Sequence, residues 1–348
     1  METEKVIKLF SETVGISGYE SKMSEVIKES FKEYCDEIKI DVLGNLVCFK
    51  KGKGKNSIML AAHMDEIGLM VKEIDKNGFI KFVSVGGIDE RTLLCQEVLV
   101  HGKKTLFGVI GTKPPHIVPI EDRKKSIKIE DLSVDVGYSK KELESLVEIG
   151  DVISFKKNIT TLQNGRLAGK SIDNRAGVVV MLECLKELQR QDHDLNIYCV
   201  ATVQEEVTMS GAITSTYNIE PDLAVAIDVG HGRTPETNEY ETIELGKGPG
   251  ITTGPNMHPS IFKQFKATAK SHYIDYQVEI AAGHSGTDAW AIQISKSGVA
   301  TGLLSLPLRY MHTSVETLDI SDIKKTAKLL AHFIMDLNDK DMEDFLCY

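Results

Sequence analysis

The segment LNIYCVATVQEE, residues 195–206, carries the clearest indication of the fold, because a markedly apolar run ends abruptly in two adjacent glutamates. Residues 195–203 predict a strand. A helix is predicted just before it, at about residues 174–191, where valine and leucine recur at helical spacing. A helix followed directly by an apolar strand is typical of an α/β sheet whose faces are covered by helices.

The rest of the chain continues this alternation but interrupts it once. A further strand at 223–229 and a last helix near 321–338 extend the α/β pattern. Between about residues 78 and 165, short β-rich pieces alternate with glycine and proline turns, which predicts a small β-barrel or sandwich. We therefore expect a mixed α/β sheet flanked by helices, formed by residues 1–65 and 166–348, with residues 66–165 inserted as a β-rich domain.

Composition excludes several classes of function. The 348 residues carry a formal net charge of −10, which argues against nucleic-acid binding, since that function usually needs a basic surface. No apolar run approaches the ~20 residues needed to cross a bilayer, and the N-terminus lacks the apolar core of a signal peptide. The six cysteines are scattered without close pairs, which favours reduced thiols and a cytoplasmic location.

Histidines and acidic residues follow the apolar segments at several points. They are His63 and Asp65 in IMLAAHMDE, Asp173 in AGKSIDNRAG, Glu205 and Glu206 in ATVQEEV, Asp228 in LAVAIDVGH, and His312 in LPLRYMHTSVE. Ligands of open α/β sheets bind at the carboxyl ends of the strands, so these side chains are expected to converge. Imidazole and carboxylate groups are the usual ligands of catalytic zinc and similar ions.

Each of these residues also has a simpler interpretation. Asp173 precedes a predicted helix and could accept hydrogen bonds from its free N–H groups. A single histidine is more often a hydrogen-bonded structural residue than a ligand, and Glu205 and Glu206 could be solvated surface charges. Carboxylates gathered in one cleft would repel each other unless a cation neutralised them. The residues alone leave the two-metal site and the simpler roles open.

Other hydrolase chemistries lack their motifs in this sequence. There is no His-Glu-x-x-His segment for a thermolysin-like zinc site. There is no Gly-x-Ser-x-Gly nucleophile turn and no phosphate-binding loop with Gly-Lys-Ser or Gly-Lys-Thr. The sequence therefore supports these chemistries less well than a metal-dependent hydrolase.

Taken together, the motifs resemble those of a known family. AAHMDEIG, KSIDNRAG, TVQEEV, AIDV, SGTDA and RYMHT occur in this order over nearly the whole chain. The sequence is similar to the tetrahedral (TET) aminopeptidases, co-catalytic metallopeptidases that also include glutamyl aminopeptidases and proteins named cellulase M. The resemblance implies that the insertion, residues 66–165, is a small PDZ-like β-barrel that mediates dimerisation. It also implies peptide substrates and dimers that assemble into a hollow dodecamer.

The resemblance implies a role for each candidate. The ligands of two divalent ions, zinc or cobalt and with manganese also suited, would be His63, Asp173, Glu206, Asp228 and His312. Asp173 would bridge the two ions, while His63 and Asp228 would bind the same ion. Asp65 would orient His63. Glu205 would be the general base that takes a proton from water activated by the metals.

The two glutamates of the opening segment would then have different tasks. Consecutive side chains of an extended strand point to opposite sides, which would keep Glu205 and Glu206 apart. A twist at the strand end would bring both into the cleft. On this hypothesis Glu206 binds metal while Glu205 transfers protons.

The substrate side chain is expected near the loop that contains Gly286, Thr287 and Asp288. Ser285 stands where the family often has glycine, and this difference leaves the preferred N-terminal residue open. Arg309 and Lys247 are candidates for contacting an acidic substrate side chain. Two other functions stay open: a glycoside hydrolase, which uses two carboxylates without metal, and another amide-bond metallohydrolase.

Overall fold

The structure is a computed structural model that describes residues 2–121, 125–235, 237–338, Met342 and Phe345. Over these residues the helices are α1 Thr3–Glu12, α2 Ser21–Phe31, α3 Lys140–Leu143, α4 Ile172–Leu188, α5 Glu205–Thr208, α6 Ser210–Ile219, α7 Pro259–Ser271, α8 Asp288–Gln293 and α9 Ile320–Asp336. The strands are β1 Glu37–Ile40, β2 Leu46–Lys50, β3 Ser57–His63, β4 Gly68–Ile74, β5 Ile80–Val85, β6 Glu97–His101, β7 Thr105–Gly111, β8 Ser133–Asp135, β9 Val152–Phe155, β10 Thr160–Thr161, β11 Arg166–Gly169, β12 Asn196–Thr202, β13 Leu223–His231, β14 Gly250–Thr253, β15 Gln277–Ile280, β16 Ala300–Leu308 and β17 Glu316–Asp319.

A mixed sheet of eight strands forms the centre of the molecule, in the order β1-β2-β12-β3-β13-β16-β14-β15. The four strands β12, β3, β13 and β16 run parallel, and the strands next to them, β2 on one side and β14 on the other, pair with them antiparallel. Because parallel strands end at the same edge, the residues that follow them are brought together.

Helices cover both faces of this sheet. On one face α4 and α9 pack against each other and against the strands, and their apolar residues form the main core. The other face is covered by α6 and α8, where small side chains such as Ala61, Ala224 and Ala226 allow close approach. Strands buried on both faces need apolar residues throughout, which explains the continuous apolar runs of the sequence.

A closed barrel of the six strands β4-β5-β8-β7-β6-β9 is built on a second, separate core that extends from Ile67 to Phe155. The expected fold class, a mixed α/β sheet flanked by helices and accompanied by a small β-barrel, is confirmed. The six barrel strands lie within the predicted insertion, residues 66–165. The strand β10 also lies within these residues, but it pairs with β11, and β11 pairs with β17, so these three strands form a separate small sheet. The domain boundaries stay a prediction.

Residues 195–206 differ from expectation at their C-terminal end. The strand β12 stops at Thr202, and Gln204 adopts a left-handed conformation with φ of 57°. Glu205 and Glu206 therefore lie in the first turn of α5 and not in an extended strand. The expectation that strand alternation separates their side chains is wrong, because a tight turn follows the strand.

Arg175 of α4 fixes this helix to the end of β3. It is fully buried, its Nε donates to the carbonyl of Met64 at 3.1 Å, and its Nη2 pairs with Glu66 Oε1 at 3.3 Å. Burial would raise the pKa of Glu66, but Arg175 and Lys170 lower it to about 2. Losing one partner of such a buried network costs about 3–5 kcal/mol, so the beginning of α4 is held in a fixed position.

Candidate metal centre

The six residues expected to bind metal or transfer protons all line one cavity of about 880 Å³. His63 is the last residue of β3, and Asp228 lies in β13. Asp173 stands at the beginning of α4. Glu205 and Glu206 come from α5, and His312 comes from the loop between β16 and β17. Segments that are distant in sequence thus converge at the carboxyl edge of the central sheet.

The carboxylate of Asp173 lies between the two histidines. Its Oδ1 is 3.2 Å from His63 Nε2, and its Oδ2 is 3.4 Å from His312 Nε2. His312 Nε2 is also 3.3 Å from Glu206 Oε2. Donor atoms of His63, Asp173 and Glu206 all lie within 4.8 Å of one another, which is close enough for this group to take part in metal binding.

The electrostatics of these groups favour a bound cation. Burial raises the pKa of Glu205 to about 10 and that of Glu206 to about 7, and neighbouring carboxylates add to both shifts. Burial likewise raises the pKa of Asp228 well above its ordinary value. The buried Oε1 of Glu205 accepts no hydrogen bond from the described residues. Imidazole nitrogens and carboxylates that repel one another are the donor set that a divalent ion would neutralise, so the residues fit such an ion.

Asp65 connects His63 to the beginning of α5. Its Oδ1 lies 3.5 Å from His63 Nδ1, and its two oxygens accept the backbone N–H groups of Glu205 at 3.1 Å and Glu206 at 3.2 Å. The hydroxyl of Ser17 also donates to it. Burial opposes ionisation, but His63 and these donors lower the pKa of Asp65 below its ordinary value. Asp65 is therefore placed to fix the imidazole and both glutamates at once.

Glu316 is a site residue that the sequence analysis did not identify. This buried carboxylate accepts hydrogen bonds from the backbone N–H groups of Ile172 at 2.7 Å, Asp173 at 3.1 Å and His312 at 3.0 Å. It thereby joins the beginning of α4 to the loop that carries His312. The available signal was an acidic residue four positions after His312 in HTSVE, at the first residue of β17.

The expected substrate-binding residues occupy different places. Gly286 and Thr287 line the cavity. Asp288 is buried beside it and accepts a hydrogen bond from the hydroxyl of Thr202 at 2.6 Å. Arg309 is not among the described residues that line the cavity, and its Nε donates to the carbonyl of Arg233 at 2.5 Å. The structure therefore brings two of these four residues to the cavity wall.

Comparison with known proteins identifies the family. A family model described as M42 glutamyl aminopeptidase matches residues 44–329. The chain belongs to this M42 family. The resemblance stated from the motifs is confirmed, and the chain is an enzyme of the aminopeptidase class. Since M42 proteins are metallopeptidases, membership implies divalent metal ions.

Relatives match the M42 chain over nearly its full length. A lysyl aminopeptidase of Pyrococcus furiosus is 37% identical over 342 residues, covering 97% of this chain and 98% of its own. A TET aminopeptidase from a marine sediment Thaumarchaeota archaeon is 32% identical and superposes with a TM-score of 0.94, covering 99% of both chains. The TET1 peptidase of Pyrococcus horikoshii, which can assemble into a tetrahedron or an octahedral shell, is 35% identical with a TM-score of 0.86, covering 97% of this chain and 100% of its own.

We expect Glu316→Gln to weaken metal binding. The amide NH2 would replace one acceptor oxygen and face a backbone N–H, which would displace Asp173 or His312. Loss of such a supporting hydrogen bond typically lowers metal affinity by roughly 10–100-fold. Zinc titration against a competing chromogenic chelator measures this, with the exposed Glu144→Gln as the control. Unchanged affinity in Glu316→Gln would contradict the positioning role.

Proposed function

We propose that the chain is a dinuclear metal-dependent aminopeptidase that removes N-terminal residues from short peptides. The observation that carries this proposal is the position of Asp173, whose two carboxylate oxygens each face the Nε2 atom of a different histidine. A carboxylate placed in this way is suited to bridge two ions. His63 and Asp228 would complete the ligands of one ion, and Glu206 and His312 those of the other.

The bound ions would supply Lewis-acid activation of water and of the scissile carbonyl. Zinc and cobalt match the mixed imidazole and carboxylate donors, and manganese also suits them. The chain's own ligands differ in exposure: His63 is buried, whereas the side chain of His312 is 34% exposed. The part of the metal centre near His312 is therefore more accessible to an entering peptide than the part near His63.

Glu205 is the residue best placed to transfer protons. Its Oε2 is 3.8 Å from His63 Nε2, and its backbone is held by Asp65, so the carboxylate projects into the cavity from a fixed position. The raised pKa of Glu205 reflects a strong affinity for protons in its buried position. Cations bound beside it would bring that pKa back towards neutrality, where a group can both accept a proton and return it to the leaving amine.

An assembly of copies is part of this proposal. The barrel would mediate dimerisation, and the dimers would form a tetrahedral dodecamer whose sites face an inner chamber. The tetrahedral assembly of the Pyrococcus horikoshii relative supports this step. Among the described residues no helix is long and apolar enough to cross a membrane. The cytoplasmic location stays a prediction; Cys35, Cys48, Cys95, Cys184 and Cys199 are free thiols, and Cys347 lies outside the described residues.

Chelation and substrate blocking test the function directly. The metal-stripped enzyme should not hydrolyse aminoacyl chromogenic substrates, and zinc, cobalt or manganese should each be tested for restoring activity. An N-acetylated peptide should resist hydrolysis while its free-amine form is cleaved, since an aminopeptidase recognises the free α-amino group. Cleavage of a β-glucan by the chelated enzyme would instead favour the glycoside hydrolase, and cleavage of the acetylated peptide would favour another amidase.

Replacing Glu205 separates proton transfer from metal binding. We expect Glu205→Gln to retain its metal while kcat falls by roughly 10²–10⁴-fold, as is typical when a general base is lost. The adjacent Glu206→Gln serves as the matched comparison and should instead lose metal, as determined by elemental analysis. Near-wild-type turnover in Glu205→Gln would refute its role as the base.

A further inference from the structure

The cavity is lined by further acidic residues besides those of the metal centre. Besides the residues of the centre, two carboxylate side chains line it, those of Glu241 and Glu279. No described residue on its wall is a lysine or an arginine. A substrate side chain that enters this space therefore meets negative charge without a balancing fixed cation.

Glu279 is held in place by hydroxyl groups and not by a cation. It lies on β15, and its Oε2 accepts a hydrogen bond from Thr252 Oγ1 on β14 at 2.7 Å. The hydroxyl of Ser305 on β16 donates to the same oxygen. Among the described residues no ion pair involves Glu279. The carboxylate is thus fixed in direction while its charge stays uncompensated.

Gly230 lies next to the carboxylate of Glu279 and has no side chain to obstruct it. A Cβ atom at Gly230 of β13 would lie 2.6 Å from Glu279 Oε1 and 3.0 Å from Ser305 Cβ, so any larger residue there would force the carboxylate to shift. Gly230 is two residues after Asp228, and Ser305 is paired with Asp228 across β13 and β16. The strands β16 and β14 separate β13 from β15 in the sheet, but the carboxylate of Glu279 reaches across them to Ser305 and to the position of Gly230. It therefore lies close to the proposed metal ligand Asp228, and both residues line the same cavity.

An apolar surface adjoins the carboxylate. Ile243 lines the cavity, and its Cδ1 would be 3.1 Å from a Cβ at Gly230, which places it next to Glu279. A long side chain with an aliphatic stem and a charged end could pack its stem on Ile243 and direct its charge to Glu279. Lysine and arginine have this structure. An acidic side chain would be repelled by the same carboxylate.

We propose that Glu279 is the specificity-determining residue of this cavity and selects peptides whose N-terminal residue is lysine or arginine. The inference rests on the proposed aminopeptidase function and names its substrate class. Glu279 contacts the ammonium or guanidinium group of the substrate, and Thr252 and Ser305 position it. A different role, binding the α-amino group shared by all substrates, predicts a uniform loss of activity when the charge is removed.

Lysyl and norleucyl p-nitroanilides test this selection, because their side chains share a similar aliphatic stem and only lysine carries the ammonium. The metal-loaded wild type should favour the lysyl substrate in kcat/KM by at least about 10-fold, and a glutamyl substrate should be the poorest. Glu279→Gln keeps the shape and an acceptor for both hydroxyls but removes the charge. It should reduce the lysyl-to-norleucyl ratio by about 10–100-fold, mainly through KM, as expected for a lost charge-assisted hydrogen bond.

Glu144→Gln is the control, because Glu144 is an exposed carboxylate that is not among the described residues lining the cavity; its ratio should stay that of the wild type. An unchanged ratio in Glu279→Gln, or an equal loss for both substrates, overturns the inference. Competitive inhibition of the wild type by lysinamide and norleucinamide gives a second measurement that needs no variant, and lysinamide should bind more tightly. A wild type that prefers norleucyl or glutamyl substrates refutes only the role of Glu279, whereas metal-loaded enzyme inactive on every substrate refutes the proposed function.

Discussion

The position of Asp173 between His63 and His312 is the constraint on which the rest of the site depends. A carboxylate can face two imidazoles in this way only if α4 begins at the carboxyl edge of the sheet and the loop after β16 folds back over it. Glu316 holds both segments by their backbone N–H groups. Asp65 holds the opposite side by binding α5.

This arrangement places several carboxylates in a buried space, where they destabilise one another. The raised pKa values of Glu205, Glu206 and Asp228 express that cost, and burial is the largest cause in each. The buried network around Arg175 and the fixed ends of the strands keep the groups from separating. A cation bound among these carboxylates would neutralise their repulsion, which is consistent with the M42 metallopeptidase family to which the chain belongs.

Much of this could be predicted from the sequence, because buried strands and strand-end ligands leave local patterns. The apolar runs predicted β12 and β13, and the short β-rich pieces predicted a barrel or a sandwich, of which the structure shows the barrel. Three features depend on contacts between distant segments and could not be predicted: the left-handed turn at Gln204, the hydrogen bonds of Glu316 to residues 172 and 173, and the position of Arg309 away from the cavity. Local propensity contains no information on such contacts.

Anomalous diffraction at the zinc absorption edge, from crystals of the zinc-loaded enzyme, tests whether Asp173 bridges two ions. We expect two peaks per subunit, about 3.5–4 Å apart, on either side of the Asp173 carboxylate. One peak should lie within about 2.0–2.2 Å of His63 and Asp228, and the other equally close to Glu206 and His312. A single peak, or two peaks that do not share Asp173, would show that this carboxylate does not bridge two ions.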